Sequence, residues 1–222
     1  MNSSAKRPRR ANRRRSAADS ARSVFINCPF DEKYRPLFHA AVFTVVDCGF
    51  VPRCALEVDD GSEVRIDKVC LLIGECRFGI HDLSRTELDS RSRLPRFNMP
   101  LELGIFIGAK RFGGRLHHRK NCLILDTEPH RYQAFISDIA GQDIRAHGGD
   151  HRRLVRAIRD WLRAASRRAT LPGGAEIFDR FRQFEEALPG ICHRLRLEVD
   201  EITFVDLLAA IAMWLDQRRA PV

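Results

Sequence analysis

Apolar residues along this chain fall into two alternating kinds of stretch. Short, nearly unbroken runs occur at Ser23-Val24-Phe25-Ile26-Asn27, at Phe50 to Leu56, at Phe78-Gly79-Ile80 ending in His81-Asp82, and at Asn121-Cys122-Leu123-Ile124-Leu125-Asp126. Their length and β-branched or aromatic content are those of strands buried on both faces. Pro52 cannot donate to a ladder and assigns the second run to a sheet edge. Asp143 to Ala146 is a weaker fifth run, closed by Gly148-Gly149.

Between the runs the spacing changes to that of a helix face. Leu37, Phe38, Ala41, Val42 and Val45 define a helix from about Tyr34 to Cys48, with Gly49 at the position that usually ends one. Val64, Ile66, Val69, Leu72 and Ile73 define the next. A third opens at Asn98, read as its N-cap, with Pro100 in the first turn and Leu101, Ile105 and Phe106 as its stripe. Pro129 to Ile139 reads as a short helix, and His151 to Ala165 as an amphipathic one. Strands alternating with helices predict an α/β, flavodoxin-like, doubly wound parallel sheet of about five strands in the order 2-1-3-4-5. The order reverses between strands one and three, and ligands bind outside the carboxyl ends of strands at such a switch point. Asp31 and Asp82 would flank that crevice.

Leu171-Pro172-Gly173-Gly174 reads as a linker to a C-terminal helical hairpin, residues 173–222. Ile177, Phe178, Phe181, Phe184 and Leu188 form its first stripe, and Asp200 to Trp214 is apolar almost all round. An aromatic stripe at helical spacing reads as core, so the hairpin packs on the main domain or joins copies into a homo-oligomer. The chain thus divides into a basic tail (1–22), an α/β domain that carries the crevice (23–168) and the helical segment (173–222).

Charge changes the picture only at the start. The net charge is +9, but residues 1–22 carry eight arginines and lysines against one aspartate, leaving the body close to balance. This segment lacks the apolar residues needed to fold by burial and the apolar core of a secretory signal. It is either a solvated, disordered tail or an arm making weak, non-specific contact with nucleic acid. No run approaches the roughly 20 apolar residues that cross a bilayer, so a cytoplasmic protein with no membrane partner is expected. The seven cysteines include no C-x-x-C pair, which signals free thiols rather than a metal or redox site. Walker A, dinucleotide-glycine and H-E-x-x-H patterns are absent, and no cofactor is expected.

Candidate chemistry lies between Ser62 and Phe112. One strand ends on Asp82, and after a long polar loop from Ser84 to Phe97 a helix begins that carries Glu102 in or beside its first turn. There the helix dipole favours an ionised carboxylate. Taken singly, Glu102 improves a helix start and Asp82 caps a loop; together they place two acids at one strand-end crevice.

Asp82-Leu83-Ser84, the loop, Asn98-x-x-x-Glu102-Leu103-Gly104 and Gly108-x-Lys110 resemble the core of the nucleoside 2-deoxyribosyltransferase family, which is related in fold to TIR domains. Asn27-Cys28-Pro29-Phe30-Asp31, closing the first strand, resembles the opening of a TIR domain. The resemblance implies Glu102 as the nucleophile that attacks an anomeric carbon, and Asp82 as its partner in handling the base or ribose. Such a bond breaks through an oxocarbenium-like sugar that a carboxylate beneath the ring stabilises. Asp82 or His81 would protonate or hydrogen-bond the leaving base, Asn98 would orient Glu102 or bind a ribose hydroxyl, and Arg65 would reach a 5′-phosphate. Asn27 and Asp31 complete the expected substrate contacts. The ligand expected is a nucleoside, a nucleotide or NAD. Hydrolysis and transfer both remain open, as does a non-catalytic module that senses a nucleotide or docks a protein through the same crevice.

Overall fold

A computed structural model describes residues 17–57, 60–86 and 96–219. Strands β1 (Ser23–Asn27), β2 (Val51–Arg53), β3 (Phe78–Asp82), β4 (Asn121–Asp126) and β5 (Ile144–Ala146) form one sheet of order β2-β1-β3-β4-β5, parallel at every pairing. This is the doubly wound flavodoxin-like arrangement. The helices are α1 (Ala17–Arg22), α2 (Arg35–Asp47), α3 (Arg65–Glu75), α4 (Asn98–Phe112), α5 (His151–Ser166), α6 (Gly174–Leu195) and α7 (Phe204–Arg219).

The sheet has a core on each face. On one side α2 and α5 cover β1, β3 and β4, and the same cluster continues without a break into α6 and α7. Phe43 of α2 meets Phe181 and Phe184 of α6 and Trp214 of α7, so the C-terminal aromatic stripe is spent on the chain's own core. Burying each such ring is worth about 1.5–3 kcal/mol. On the other side Val69, Leu72 and Ile73 of α3 and Phe106 of α4 pack on Phe25, and Met99 and Leu103 of α4 pack with Ile124. Lys120, buried beneath this layer, donates to the carbonyls of Ile73 and Cys76 and so ties down the C-terminal end of α3.

Several boundaries differ from the pattern-based expectation, each for a local reason. The second strand stops at Arg53 and gives way to a 3-10 turn, Ala55–Glu57, because the buried Arg53 guanidinium is held by Glu57 and, at 3.1 Å, by Glu75. The stretch from Pro129 to Ile139 is two 3-10 turns rather than one helix. There Arg131 is drawn to Asp126 (2.6 Å) and to the Leu83 carbonyl (2.7 Å). α7 starts at Phe204, not Asp200: the Thr203 N–H donates to Asp206 Oδ2 (2.9 Å) and the Asp206 N–H to Thr203 Oγ1 (3.3 Å), a reciprocal cap. Asn98 is the first residue of α4 and not its cap; Phe97 holds that position and no side chain caps the end.

Part of the N-terminal basic segment, residues 17–22, is helical as α1, where Ser20 Oγ donates to the Glu75 carbonyl (2.8 Å). Residues 1–16 and most of the polar loop before α4, residues 87–95, lie outside the described residues. Among the described residues, no helix is long and apolar enough to cross a membrane.

Candidate active site

β1 leaves the sheet at Asn27, at the point where the strand order reverses between β1 and β3. Its continuation, Cys28-Pro29-Phe30, faces the start of α4 and the start of α3 across a cavity of about 170 Å³. Asn27, Arg65, Asn98 and Glu102 all line it, joined by Arg96 and Met99. Four of the seven residues expected from the sequence are therefore brought together at the switch point.

Glu102 is the only acid among the described residues lining this cavity. It sits in the second turn of α4, since the first turn carries no acidic residue, and it is buried. Burial raises its carboxyl to about 7, against the opposing pull of Arg65. The expectation that a helix N-terminus keeps this carboxylate bare of its proton is corrected: desolvation outweighs the dipole one turn further in.

Asn27 is fixed from two sides. Its Nδ2 donates to the Met99 carbonyl (2.9 Å) and lies 3.1 Å from His81 Nδ1. Both amide hydrogens are thereby committed, which leaves its carbonyl oxygen as the group available to a ligand. His81 itself is fully buried between Phe25 and Phe106, and burial, with Lys120 nearby, lowers its pKa to about 3. It is a neutral acceptor that orients Asn27, and it is not part of the cavity wall. Burial likewise pushes the Cys28 thiol well above its usual value, keeping it protonated at neutral pH.

Asp82 is not part of the wall either. It is fully buried, accepts hydrogen bonds from the Tyr34 hydroxyl and the Ser84 N–H (2.8 Å), and has His147 Nε2 3.0 Å away. The Gly149 N–H donates to His147 Nδ1 (3.0 Å), so the ring carries a proton on Nε2, towards Asp82 but off hydrogen-bond alignment. Burial alone would raise the Asp82 carboxyl. His147, Ser84 and Tyr34 together outweigh burial and hold it below its ordinary value. The residue ties the end of β3 to α2 and to the β5–α5 turn, and its expected pairing with Glu102 across one cavity is not what the fold builds.

Asp31 lies further out. It accepts from the Tyr34 N–H (3.1 Å), pairs with Arg85 (3.1 Å), and lines a second, larger cavity that shares Phe30 and Arg65 with the first. Sequence reasoning missed Arg96, Tyr34 and His147. Arg96 closes the polar loop with nothing but its charge to mark it, and the other two are distant in sequence from the acid they hold.

Among the described residues, no group of three or more His, Cys, Asp or Glu side chains is arranged to hold a metal ion. Comparison of the chain with protein-family models, curated proteins and solved structures finds no match.

Proposed function

We propose that the protein cleaves the N-glycosidic bond of a nucleoside, a nucleotide or NAD, with Glu102 as the carboxylate beneath the sugar. The observation that carries this reading is a single buried glutamate, poised near neutral pH, in the wall of a cavity at the sheet's switch point. A carboxyl with a pKa of about 7 is ionised in roughly half the molecules at neutral pH, and once ionised it is a desolvated anion facing any cation that forms above it. As the bond to the base stretches, the sugar carbon gains positive charge. The nearby carboxylate stabilises that charge or bonds to the carbon before water or another acceptor takes its place.

The rest of the wall suits a sugar. Asn27 offers a fixed carbonyl oxygen to a ribose hydroxyl, and Asn98 stands one turn before Glu102. Arg65 and Arg96 supply positive charge to a phosphorylated ligand and, in the case of Arg65, hold the Glu102 pKa down. Asp82 and His81 enter this reading as positioning residues, not as proton donors to the base.

The test is base release from a panel of nucleosides, nucleotides and NAD by the wild type and by Glu102→Ala. Release abolished by the substitution, with the fold intact, supports the enzyme. Tight binding without turnover supports the alternative, a nucleotide-sensing module of TIR-like fold. Contact of the basic tail with nucleic acid is a separate matter. It predicts an affinity that falls steeply with salt and disappears when residues 1–16 are deleted. A homo-oligomer through the C-terminal helices would have to use their outer faces, since Phe181, Phe184 and Trp214 are already buried within the chain.

A further inference from the structure

We infer that the corner where α4 ends, residues 110–119, is a binding surface for a single-stranded nucleic acid. The surface is independent of Glu102, which stands towards the other end of α4. Phe112 and Leu116 are 89% and 86% exposed, more than any other large hydrophobic side chain among the described residues. Lys110, Arg111, Arg115, His118 and Arg119 flank them along the chain and are exposed as well. From Leu103 to Leu125 there is no acidic residue, and among the described residues Lys110, Arg111, Arg115 and Arg119 form no ion pair. Lys110 and Arg111 sit in the last turn of α4, where cations offset the helix dipole; Arg115 and Arg119 lie beyond the helix and have no such role.

The corner is a tightly bonded turn. The Gly113 N–H donates to the Ala109 carbonyl (3.0 Å), the His117 N–H to the Gly114 carbonyl (2.8 Å) and the Lys120 N–H to the His117 carbonyl (2.9 Å), and His118 Nδ1 lies 3.2 Å from the Lys110 carbonyl. A Cβ at Gly113 would meet the Ala109 carbonyl and the His117 side chain, so glycine is what lets the turn fold back this closely. At its base the buried Lys120 grips the end of α3 through the Ile73 and Cys76 carbonyls. Phe112 and Leu116 are thus held out to solvent on a fixed backbone, with little left to order on binding. The basic tail joins the fold beside the same corner: Ser20 of α1 donates to the Glu75 carbonyl (2.8 Å), next to the α3 carbonyls that Lys120 holds. Residues 1–16 carry seven lysines and arginines and no acid, so the chain outside the described residues adds positive charge where the corner already has it.

Charge alone calls for a polyanion, and the exposed ring selects among them. A single strand offers phosphates to Lys110, Arg111, Arg115 and Arg119 and unpaired bases to Phe112, on which any base can stack because each has a π-face. A duplex keeps its bases stacked on one another and gives Phe112 no free face. An anionic membrane suits the corner less, because Phe112 and Leu116 together insert less apolar surface than one acyl chain, which itself anchors only marginally.

Fluorescence anisotropy with a labelled oligo(dT) of about 20 nucleotides tests this on the full chain, on Phe112→Ser and Arg115→Glu, and on the chain lacking residues 1–16. Melting temperatures serve as the control for folding and should not change for the two substitutions, since both side chains are exposed. Phe112→Ser should weaken binding roughly tenfold or more at an unchanged salt dependence. Arg115→Glu should weaken it and make the salt dependence shallower. The chain lacking residues 1–16 should still bind, whereas a contact made by the tail alone would be gone. Heparin, a polyanion without bases, should bind Phe112→Ser as it binds the wild type. Binding that vanishes with residues 1–16, a Phe112→Ser variant that keeps the wild-type affinity for oligo(dT), or one that loses heparin to the same extent would each overturn the inference. So would a preference for vesicles of anionic phospholipid over oligo(dT).

Discussion

Replacing Glu102 by Gln should make the protein more stable, and only above a defined pH. Burial raises this carboxyl from its ordinary 4.5 to about 7, with Arg65 opposing the shift. The folded protein therefore holds the proton more tightly than the unfolded chain does, and ionising Glu102 works against folding. That penalty is absent below about pH 4.5, grows as pH rises towards 7, and is complete above it. At about 1.4 kcal/mol per pKa unit the ceiling is about 3 kcal/mol. The carboxyl faces an open cavity, so solvent screening reduces this to ~1–2 kcal/mol. Glutamine keeps the shape and cannot ionise. Urea denaturation of both proteins at pH 4.5 and pH 8 should show equal stability at the lower pH and a more stable variant at the higher, with the urea dependence unchanged. A variant that is equally or less stable at pH 8 would refute the reasoning, since it would mean that Glu102 is satisfied where it stands and is not held in readiness for a ligand.

Asp82 behaves in the opposite sense. Its carboxyl is held below its ordinary value, so it supports folding above the usual carboxylate range and loses that support as pH falls through its lower folded pKa. Asp82→Asn confronts the Tyr34 and Ser84 donors, and the His147 ring beside them, with an amide, and should cost about 3–5 kcal/mol at neutral pH while flattening the acid limb of a melting-temperature profile. Tyr34→Phe should cost less, about 1.5–3 kcal/mol by chemical denaturation, the worth of one hydrogen bond to a charged group. Gly79→Ala would bring a Cβ within 2.8 Å of His81 Nε2 and of the Phe106 ring, both immobilised in the core, and should destabilise by about 1–3 kcal/mol in the same assay. Arg65→Gln removes a cation that lowers the Glu102 pKa, so the titration midpoint of that carboxyl, followed by carbon NMR, should move up from about 7.

The strands were legible because a strand buried on both faces leaves an apolar run whose ends can be read directly. β1, β3 and β4 begin and end where those runs do, and Pro52 does mark an edge strand. The alternation of elements was enough for the sheet order, which in turn located the crevice where Asn27, Arg65, Asn98 and Glu102 meet. What was not legible depends on partners far away in sequence. Asp82 stands at a strand tip, as a catalytic acid would, but Tyr34, 48 residues earlier, and His147 in the β5–α5 turn enclose it. The Glu102 pKa was misjudged for a finer reason. With Phe97 and not Asn98 as the cap, and with Glu102 in the second turn, burial governs and the helix end does not. The larger cavity was hidden because an apolar stripe such as that of α7 looks the same whether its edge packs on the core or borders a cleft.

The most direct test of Glu102 as the reacting carboxylate is the pH dependence of base release from NAD and from a matched mononucleotide between pH 5 and pH 9. Release should rise with pH through a midpoint near 7, where Glu102 ionises, and should vanish across the whole range in Glu102→Gln. Release that persists in the variant, or that shows no midpoint near 7 in the wild type, would contradict the assignment.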